Sequence, residues 1–400
     1  MSLIAIQYLE GQSHIPVKEA LDKLRAAFDI LPIEKVLLGW YLPESLITMC
    51  AEECQKNRSS LYRWQPLLTG DGNFQIKPEW YTIGINNKPV PGFQQLPEFT
   101  FACPNRREVK EAVLNNIRRI IDNGPYQGIF LDRIRFPSPT ADPGKQLACF
   151  CEACKRKTNS QGLDLKLVQK SISSLLSEPK GIKKLIHLLF DSEIKTDETD
   201  TELKLVQAFL SFRAESISSF IRDTAQVINH KGLSVGLDCF SPALAHAVGQ
   251  DLNSLADCAD WIKIMSYAHT FGVAGLPFEF IHIIKCLIQK QRFTEPEAIQ
   301  LLAEATHLPF PKSIKEIREK GFSSGVLAIE NKRAQKAGIK KCLAGIELVD
   351  EGNLTNLNQE QITTDLEAFR DAGANGLVLS WDLWFMPLER LELVRDVWRL

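Results

Sequence analysis

The feature that most constrains the fold of this 400-residue chain is a repeated alternation of strand-like and helical segments. The strand-like segments are short apolar runs, rich in β-branched and aromatic residues and bounded by turn residues. They cover residues 3–9, 35–41, 60–67, 128–136, 233–240, 261–267, 342–349 and 376–384. Eight βα units in this order predict an α/β protein, a (β/α)₈ TIM barrel.

The segments between the predicted strands have the apolar spacing of amphipathic helices. They include residues 17–28, 43–55, 107–121, 203–228 and 363–371, and a helix at 388–397 closes the series. The third strand is less hydrophobic than a barrel strand usually is, because it contains Arg63 and Gln65, so a doubly wound open sheet is the alternative. No glycine-rich phosphate-binding turn follows any strand, and we therefore expect no organic cofactor.

The uneven spacing between strands predicts one decorated barrel over residues 1–400. An aromatic-rich loop at 70–104 follows the third strand. An insertion at 137–201 follows the fourth strand, begins with a cysteine-rich run and continues as helix. A second insertion at 268–340, after the sixth strand, reads as amphipathic helix that either packs between its neighbours or forms a small lid.

Four cysteines predict a metal site beside the fourth strand. Cys149, Cys151 and Cys154 form a C-x-C-x-x-C run, and Cys103 can supply a fourth thiolate from across a loop. Four thiolates fill a tetrahedral coordination shell, so the sequence predicts a structural zinc ion rather than a catalytic one. The alternative is a group of unligated buried thiols, because free cysteine is a common buried residue.

Composition bears on the partners and the location of the protein. With 47 basic and 49 acidic residues, a net charge of −2, nothing indicates binding to a nucleic acid or an anionic membrane. We expect a neutral small molecule or polymer as the partner, and the oligomeric state is left open. The ten cysteines do not read as a disulfide scaffold, no apolar run is long enough to span a membrane, and the first residues do not resemble a signal peptide. We therefore expect a cytoplasmic protein.

Carboxylates at the ends of the predicted strands are the candidate catalytic residues, because chemistry in a TIM barrel takes place at the carboxyl ends of its strands. Asp132 lies in the fourth strand, Asp238 in the fifth and Glu347 near the end of the seventh. A carboxylate within an apolar strand is costly unless it is paired or hydrogen-bonded. For each residue alone, a structural ion pair is the simpler interpretation, with Arg133 or Arg135 as the partner of Asp132.

Several carboxylates on one rim, beside aromatic side chains, match the needs of glycoside hydrolysis, which uses one ionised and one protonated carboxyl group. We predict Asp132 as the nucleophile or general base, because Arg133 and Arg135 favour its ionised form. Asp238 is the first candidate for the general acid and Glu347 the second. The residues predicted to bind sugar hydroxyls or sugar faces are Trp40, Arg135, Tyr267, His269, Trp381 and Asp382.

The segment Gly-Ile-Phe-Leu-Asp-Arg-Ile-Arg-Phe-Pro-Ser-Pro at 128–139 resembles the fourth strand of a family of glycoside-hydrolase barrels whose signature is Phe-Asp-Tyr-Ile-Arg-Phe-Pro. Segments 235–240 and 260–267 are similar to the fifth and sixth strands of the same barrels and of chitinase-like ones. The cysteine spacing is similar to the zinc cluster of a β-galactosidase family built on this barrel. These resemblances imply a glycosidase that acts on an oligosaccharide or glycoside.

The chain departs from two of these patterns. Leu131-Asp132 stands where the β-galactosidase pattern has Asn-Glu, and the chitinase run Asp-x-x-Asp-x-Asp-x-Glu is absent, so neither sugar preference carries over. Two other functions stay open. One is a non-catalytic carbohydrate-binding barrel, and the other is a metal-dependent hydrolase, such as a deacetylase, with an ion on Asp132, Asp238 and His269.

Overall fold

The computed structural model describes residues 3–11, 14–72, 74–93, 96–140, 142–191, 199–291, 293–352, 354–355 and 357–399. These residues form eight parallel strands that pair in chain order and close into a barrel, since the last strand also pairs with the first. The strands are β1 (Leu3–Tyr8), β2 (Lys35–Leu38), β3 (Ser60–Pro66), β4 (Gly128–Asp132), β5 (Ser234–Phe240), β6 (Trp261–Met265), β7 (Cys342–Glu347) and β8 (Gly376–Ser380). The predicted TIM barrel is confirmed, and the open-sheet alternative is wrong.

The described residues also form sixteen α-helices, most of which surround the barrel. They are α1 (Val17–Ile30), α2 (Glu44–Lys56), α3 (Arg107–Asn123), α4 (Pro143–Gln146), α5 (Glu152–Asn159), α6 (Leu165–Leu175), α7 (Pro179–Phe190), α8 (Thr201–His230), α9 (Pro242–Ala245), α10 (Leu252–Ala256), α11 (Leu276–Gln291), α12 (Glu295–Thr306), α13 (Ile314–Lys320), α14 (Ser324–Lys336), α15 (Gln359–Asp371) and α16 (Leu388–Trp398). Within the described part of the chain, no helix is both long and apolar enough to cross a membrane.

Helical insertions follow strands 4 and 6, as the sequence predicts. Helices α4 to α7 lie between β4 and the long helix α8, and helices α11 to α14 lie between β6 and β7. The loop after β3 contains short 3₁₀ turns at Pro78–Trp80 and Pro97–Phe99. The assignment of residues 1–400 to a single domain stays a prediction.

Large aromatic side chains fill the interior of the barrel. Trp261 stacks on Phe130 with ring centroids 5.1 Å apart, and Tyr62 meets Trp261 edge to face at 5.7 Å. Two glycines make room for these rings: a Cβ atom on Gly236 would lie 2.2 Å from the Trp261 ring, and one on Gly128 would lie 2.1 Å from the Tyr62 ring. The interior is therefore a packed core that supports whatever lies above it at the carboxyl ends of the strands.

Replacing Gly236 with alanine is expected to destabilise the barrel, because the added methyl group would overlap the Trp261 ring inside the packed core. We expect the free energy of unfolding to fall by about 1–3 kcal/mol, measured by urea denaturation. Gly325→Ala in α14 is the matched control, since its Cβ would meet only Ser323 Oγ at 3.7 Å. Equal stability of Gly236→Ala and the wild type would contradict the packed interior.

Candidate active site

A cavity of about 230 Å³ lies at the carboxyl ends of the strands. It is enclosed by acidic, basic and aromatic side chains, and most of them come from strand ends and from the loops that follow. The residues that carry its chemistry are Gln7, Glu10, Trp64, Asp132, Arg133, Arg135, Asp238, Lys263, Tyr267, Thr270 and Trp381.

The pairing register of the sheet places three of these residues in one row. Leu131 of β4 pairs with Leu237 of β5, so Asp132 and Asp238 occupy the next aligned positions. Asp238 in turn pairs with Lys263 of β6. Because adjacent strands lie about 4.8 Å apart, two carboxyl groups and one ammonium group are neighbours in the cavity.

Asp132 is held by hydrogen-bond donors that carry no charge. Its Oδ2 accepts a hydrogen bond from Nε1 of Trp64 at 3.0 Å, and its Oδ1 accepts one from the backbone N–H of Arg133. Both oxygens of the carboxyl group are therefore held by hydrogen bonds. A direct ion pair with Arg133 or Arg135 is not formed, since among the described residues no cationic nitrogen lies within 4.0 Å of Asp132.

Asp238 forms a fully buried ion pair with Lys263. Nζ of Lys263 lies 3.0 Å from Oδ2 of Asp238 and also donates to Oε1 of Gln7 at 2.8 Å. Burial raises the pKa of Asp238 to about 7, although Lys263 acts in the opposite direction. Oδ1 of Asp238 has no hydrogen-bond partner among the described residues. Asp132 and Asp238 therefore stand side by side in different electrostatic environments.

Glu10 and Arg133 form a second charged group on the cavity wall. Nη2 of Arg133 lies 3.1 Å from Oε1 of Glu10, and Nη1 lies 2.7 Å from Oδ2 of Asp71. Arg133 has a φ of 53°, so the backbone leaves the strand direction directly after Asp132. Burial raises the pKa of Glu10 to about 8; Arg133 opposes this rise and the charge of Asp132 adds to it.

Arg135 is a buried cation held between aromatic rings. Its guanidinium carbon lies 4.5 Å from the ring centroid of Phe101 and 4.4 Å from that of Phe240. Nη1 donates to the carbonyl oxygen of Phe136 at 3.1 Å. Burial lowers the pKa of Arg135 to about 10, so the side chain is still a cation at neutral pH.

Glu347 and His269 lie outside the cavity wall, in a separate buried cluster. Oε1 of Glu347 accepts hydrogen bonds from the backbone N–H of His269 at 2.9 Å and from the hydroxyl of Thr270 at 3.3 Å. Nε2 of His269 lies 3.2 Å from Oδ2 of Asp365 in α15. Burial raises the pKa of Glu347 to about 7, and His269 opposes the rise. Thr270, which donates to Glu347, does line the cavity.

The position of His269 outside the cavity wall argues against the metal-dependent alternative. Asp132, Asp238 and His269 do not converge on one point. In the described part of the chain, the only group of side chains placed to share a metal ion is the cysteine cluster. The structure therefore gives no support to a catalytic metal on these three residues.

The other predicted sugar-binding residues are divided between the cavity and the surrounding frame. The carboxylate of Asp382 accepts hydrogen bonds from the backbone N–H groups of Leu9 at 2.8 Å and Glu10 at 2.9 Å, which ties the end of β8 to the end of β1. Trp40 is buried, does not line the cavity, and meets the cavity residue Trp64 edge to face with ring centroids 5.3 Å apart. The predicted sugar-binding residues that line the cavity are Arg135, Tyr267 and Trp381.

Six of the cavity residues named above were not identified as site residues from the sequence: Gln7, Glu10, Trp64, Arg133, Lys263 and Thr270. Lys263 lies in the apolar run Trp-Ile-Lys-Ile-Met, so the cost of a charge within an apolar strand, which identified Asp132, could have identified it too. Gln7 and Trp64 give no comparable signal. Glu10 lies beyond β1, and only the closed barrel brings it next to Arg133.

Four buried cysteines bring their sulfur atoms within 4.8 Å of one another: Cys103, Cys149, Cys151 and Cys154. The sulfur of Cys103 lies 3.4 Å from that of Cys154 and 3.6 Å from that of Cys151. Thiolates around a tetrahedral zinc ion, with Zn–S bonds of about 2.3 Å, lie about 3.8 Å apart. Asn105 donates to the sulfur of Cys154 at 3.3 Å, as the outer groups of a metal site commonly do. The cluster has the composition and spacing of a metal site.

No protein-family model matches this sequence. No curated protein is similar to it at a significant level. Solved structures do share its fold. The glycoside hydrolase domain of PgaB (BpsB) from Bordetella bronchiseptica superposes with a TM-score of 0.60 and 12% sequence identity, and the alignment covers 99% of this chain and 98% of that one.

Two further solved structures are similar in the same way. Alpha-L-fucosidase isoenzyme 2 from Paenibacillus thiaminolyticus has a TM-score of 0.54 and 11% identity, and the alignment covers all of this chain but 49% of that one. A class V chitinase from Pseudomonas fluorescens Pf-5 has a TM-score of 0.50 and 8% identity, with 100% of both chains covered. At such identities the likeness establishes the fold alone: this chain is a (β/α)₈ barrel like those of glycoside hydrolases.

Proposed function

We propose that this protein is a glycoside hydrolase in which Asp132 and Asp238 form the catalytic pair of carboxyl groups. The observation that carries the proposal is that these neighbours lie in contrasting environments. Asp132 accepts hydrogen bonds from uncharged donors, whereas Asp238 is paired with Lys263 and burial raises its pKa to about 7. Glycoside hydrolysis uses two carboxyl groups in different environments, one as the acid and the other as the nucleophile or base. The solved barrels of similar fold include glycoside hydrolases, which supports the proposed class of enzyme but does not bear on these two residues.

Asp238 is the proposed general acid. In its protonated form it donates a proton to the glycosidic oxygen as the bond to the leaving group breaks. Lys263 holds Oδ2 at 3.0 Å, which fixes the orientation of the carboxyl group. Lys263 also limits how far burial raises the pKa of Asp238. Lys263 is therefore a positioning residue that keeps the acid able to release its proton near neutral pH.

Asp132 is the proposed nucleophile or general base. Its ionised carboxylate either attacks the anomeric carbon or takes a proton from the attacking water. The hydrogen bonds from Trp64 and from the backbone N–H of Arg133 fix its orientation. Glu10 is the alternative acid, because it lies on the same cavity and its pKa is also raised.

The cavity accommodates one sugar unit of a longer glycan. Its volume of about 230 Å³ lies below the ~300 Å³ at which pockets for drug-sized ligands begin. Trp381 and Tyr267 offer aromatic surface to the apolar face of a sugar ring. Tyr41, Leu354 and Phe385 are 44%, 38% and 41% exposed and lie on loops that follow β2, β7 and β8. They provide apolar surface around the cavity on which further sugar units can rest.

Asp132→Asn and Asp238→Asn are expected to lower turnover of an aryl glycoside by about 10²–10⁴-fold or more while the fold is kept, because each removes one member of the pair. The substrate is found by screening the wild type against aryl α- and β-glycosides. Asp122→Asn, an exposed position on α3, is the matched control and should retain full activity. Near-normal turnover by Asp132→Asn would contradict the assignment of Asp132 as a catalytic residue.

The leaving group separates the two roles. Dinitrophenolate is a leaving group that departs without a proton. With a dinitrophenyl glycoside as substrate, Asp238→Asn should therefore regain much of its activity, whereas Asp132→Asn should not. The same comparison made with Glu10→Gln tests the alternative acid. Recovery by Glu10→Gln and not by Asp238→Asn would transfer the role of the acid to Glu10.

The pH profile is expected to fall on its alkaline side. A general acid works only when protonated, so kcat/KM should be highest below pH 7 and fall about tenfold per pH unit as the pH rises through the pKa of Asp238, about 7. Lys263 lowers that pKa, so Lys263→Gln should move the fall to higher pH. A profile that is flat from pH 6 to 9, or a shift to lower pH in Lys263→Gln, would contradict the role of Asp238.

The rival function is carbohydrate binding without turnover. The buried ion pair favours this function, because a carboxylate that is paired with Lys263 is already stabilised without a catalytic role. The aryl-glycoside screen separates the two functions. Sugar binding without release of the aryl group from any glycoside in the panel would favour a binding barrel.

We also propose that the cysteine cluster holds one structural zinc ion. Four thiolates leave no open coordination position, so the ion would fix the start of the insertion after β4 to the loop that carries Cys103 and would not act on substrate.

Removal of one thiolate is expected to release the metal. Purified protein should contain about one zinc ion per chain by elemental analysis, and Cys151→Ser should lose it and melt at least about 5 °C lower, because structural zinc contributes directly to folding. Cys258→Ser, which changes a buried thiol outside the cluster, is the control. Zinc-free wild type with the same melting temperature as Cys151→Ser would reject the site.

A further inference from the structure

Arg135 carries a positive charge that its surroundings do not pair. Its side chain is only 5% exposed, yet among the described residues no carboxylate oxygen lies within 4.0 Å of its guanidinium. The other cations of the cavity are paired: Arg133 with Glu10 and Asp71, and Lys263 with Asp238. A buried charge without a counterion is costly, so this arrangement suits a site that is completed by an anion from outside.

Glu279 is the carboxylate with the largest electrostatic effect on Arg135, and it does not serve as a direct partner. Its Oε2 accepts a hydrogen bond from Ser138 at 2.8 Å, and its Oε1 accepts one from the backbone N–H of Ala274 at 3.0 Å. Both oxygens are thus engaged elsewhere. Glu279 helps to keep Arg135 charged without occupying its hydrogen-bond donors.

Two of the three guanidinium nitrogens of Arg135 have no acceptor among the described residues. Phe101 and Phe240 lie within 4.5 Å of the guanidinium carbon and fix the plane of the group between them. Nη1 donates to Phe136, while Nε and Nη2 donate to no acceptor among the described residues and are not enclosed. Arg135 lines the cavity together with Asp132 and Asp238. The Nε–Nη2 edge of a guanidinium matches the two oxygens of a carboxylate.

We propose that the sugar bound in this cavity carries a carboxylate, as a uronic acid does, and that Arg135 binds it through Nε and Nη2. The inference rests on the proposed function in taking the ligand to be a sugar. The near-zero net charge of the whole chain does not oppose it, because recognition depends on the local charge at the site. Arg135 then selects acidic sugars over neutral sugars of the same shape.

Matched sugars test this selection without requiring turnover. Calorimetry on the wild-type protein measures the binding of two matched pairs of sugars, glucuronate with glucose and galacturonate with galactose. The binding of N-acetylneuraminate and of glucose 6-phosphate is measured in the same way. We expect at least one carboxylate sugar to bind at least about tenfold more tightly than a neutral sugar, with added salt weakening the difference. Arg135→Gln should abolish the difference. Arg118→Gln, an exposed arginine of α3, should leave it unchanged.

Each outcome decides one of the two proposals. Equal binding of acidic and neutral sugars, binding of neither, or tighter binding of glucose 6-phosphate than of any carboxylate sugar overturns the inference. If the protein prefers uronates but hydrolyses no aryl uronide, the inference about Arg135 holds and the proposed hydrolase function is rejected. If it hydrolyses neutral glycosides and shows no preference for uronates, the hydrolase function holds and the inference about Arg135 is rejected. If Arg135→Gln does not fold, Arg135→Lys, which keeps the charge but loses the paired donors, should still reduce the preference.

Discussion

The buried ion pair between Lys263 and Asp238 is the interaction on which the site depends. Below it the barrel is a packed core of aromatic rings, and above it lies the cavity. Lys263 also reaches Gln7, so the pair connects β5 and β6 to β1 across the barrel. Removing one partner would leave an uncompensated buried charge, a loss of about 3–5 kcal/mol. The pair therefore fixes the position of Asp238 and sets the pKa that the proposed chemistry needs.

Among the described residues, the charged side chains around the cavity form ion pairs, except for Asp132 and Arg135. Arg133 is held by Glu10 and Asp71, which leaves Asp132 to uncharged donors. The two carboxyl groups on adjacent strands, Asp132 and Asp238, therefore lie in different electrostatic environments. Arg135 is the one cation lining the cavity that has no carboxylate partner among the described residues. The net charge of −2 over the whole chain conceals this local pattern, which is why composition alone favoured a neutral partner.

The barrel could be predicted from the sequence because each strand carries its own apolar signal, and even β3 forms, with Arg63 bonded to the backbone of Gly39. Three of the four clustered cysteines could be predicted from their spacing, whereas Cys103 could only be suggested as a fourth member from a distant loop. Strand ends could not: β4 stops at Asp132 because Arg133 turns to a left-handed φ, which no local pattern indicates. The sequence also could not predict that Glu347 lies outside the cavity wall, because the groups that contact it come from distant segments of the chain.

The measurement that tests the central claim most directly is a crystal structure of Asp132→Asn with the aryl glycoside that the wild type hydrolyses fastest. The account predicts a sugar ring inside the cavity, its anomeric carbon facing residue 132 and its glycosidic oxygen about 2.6–3.2 Å from a carboxyl oxygen of Asp238. A sugar bound outside the cavity, or a glycosidic oxygen directed away from Asp238, would contradict it.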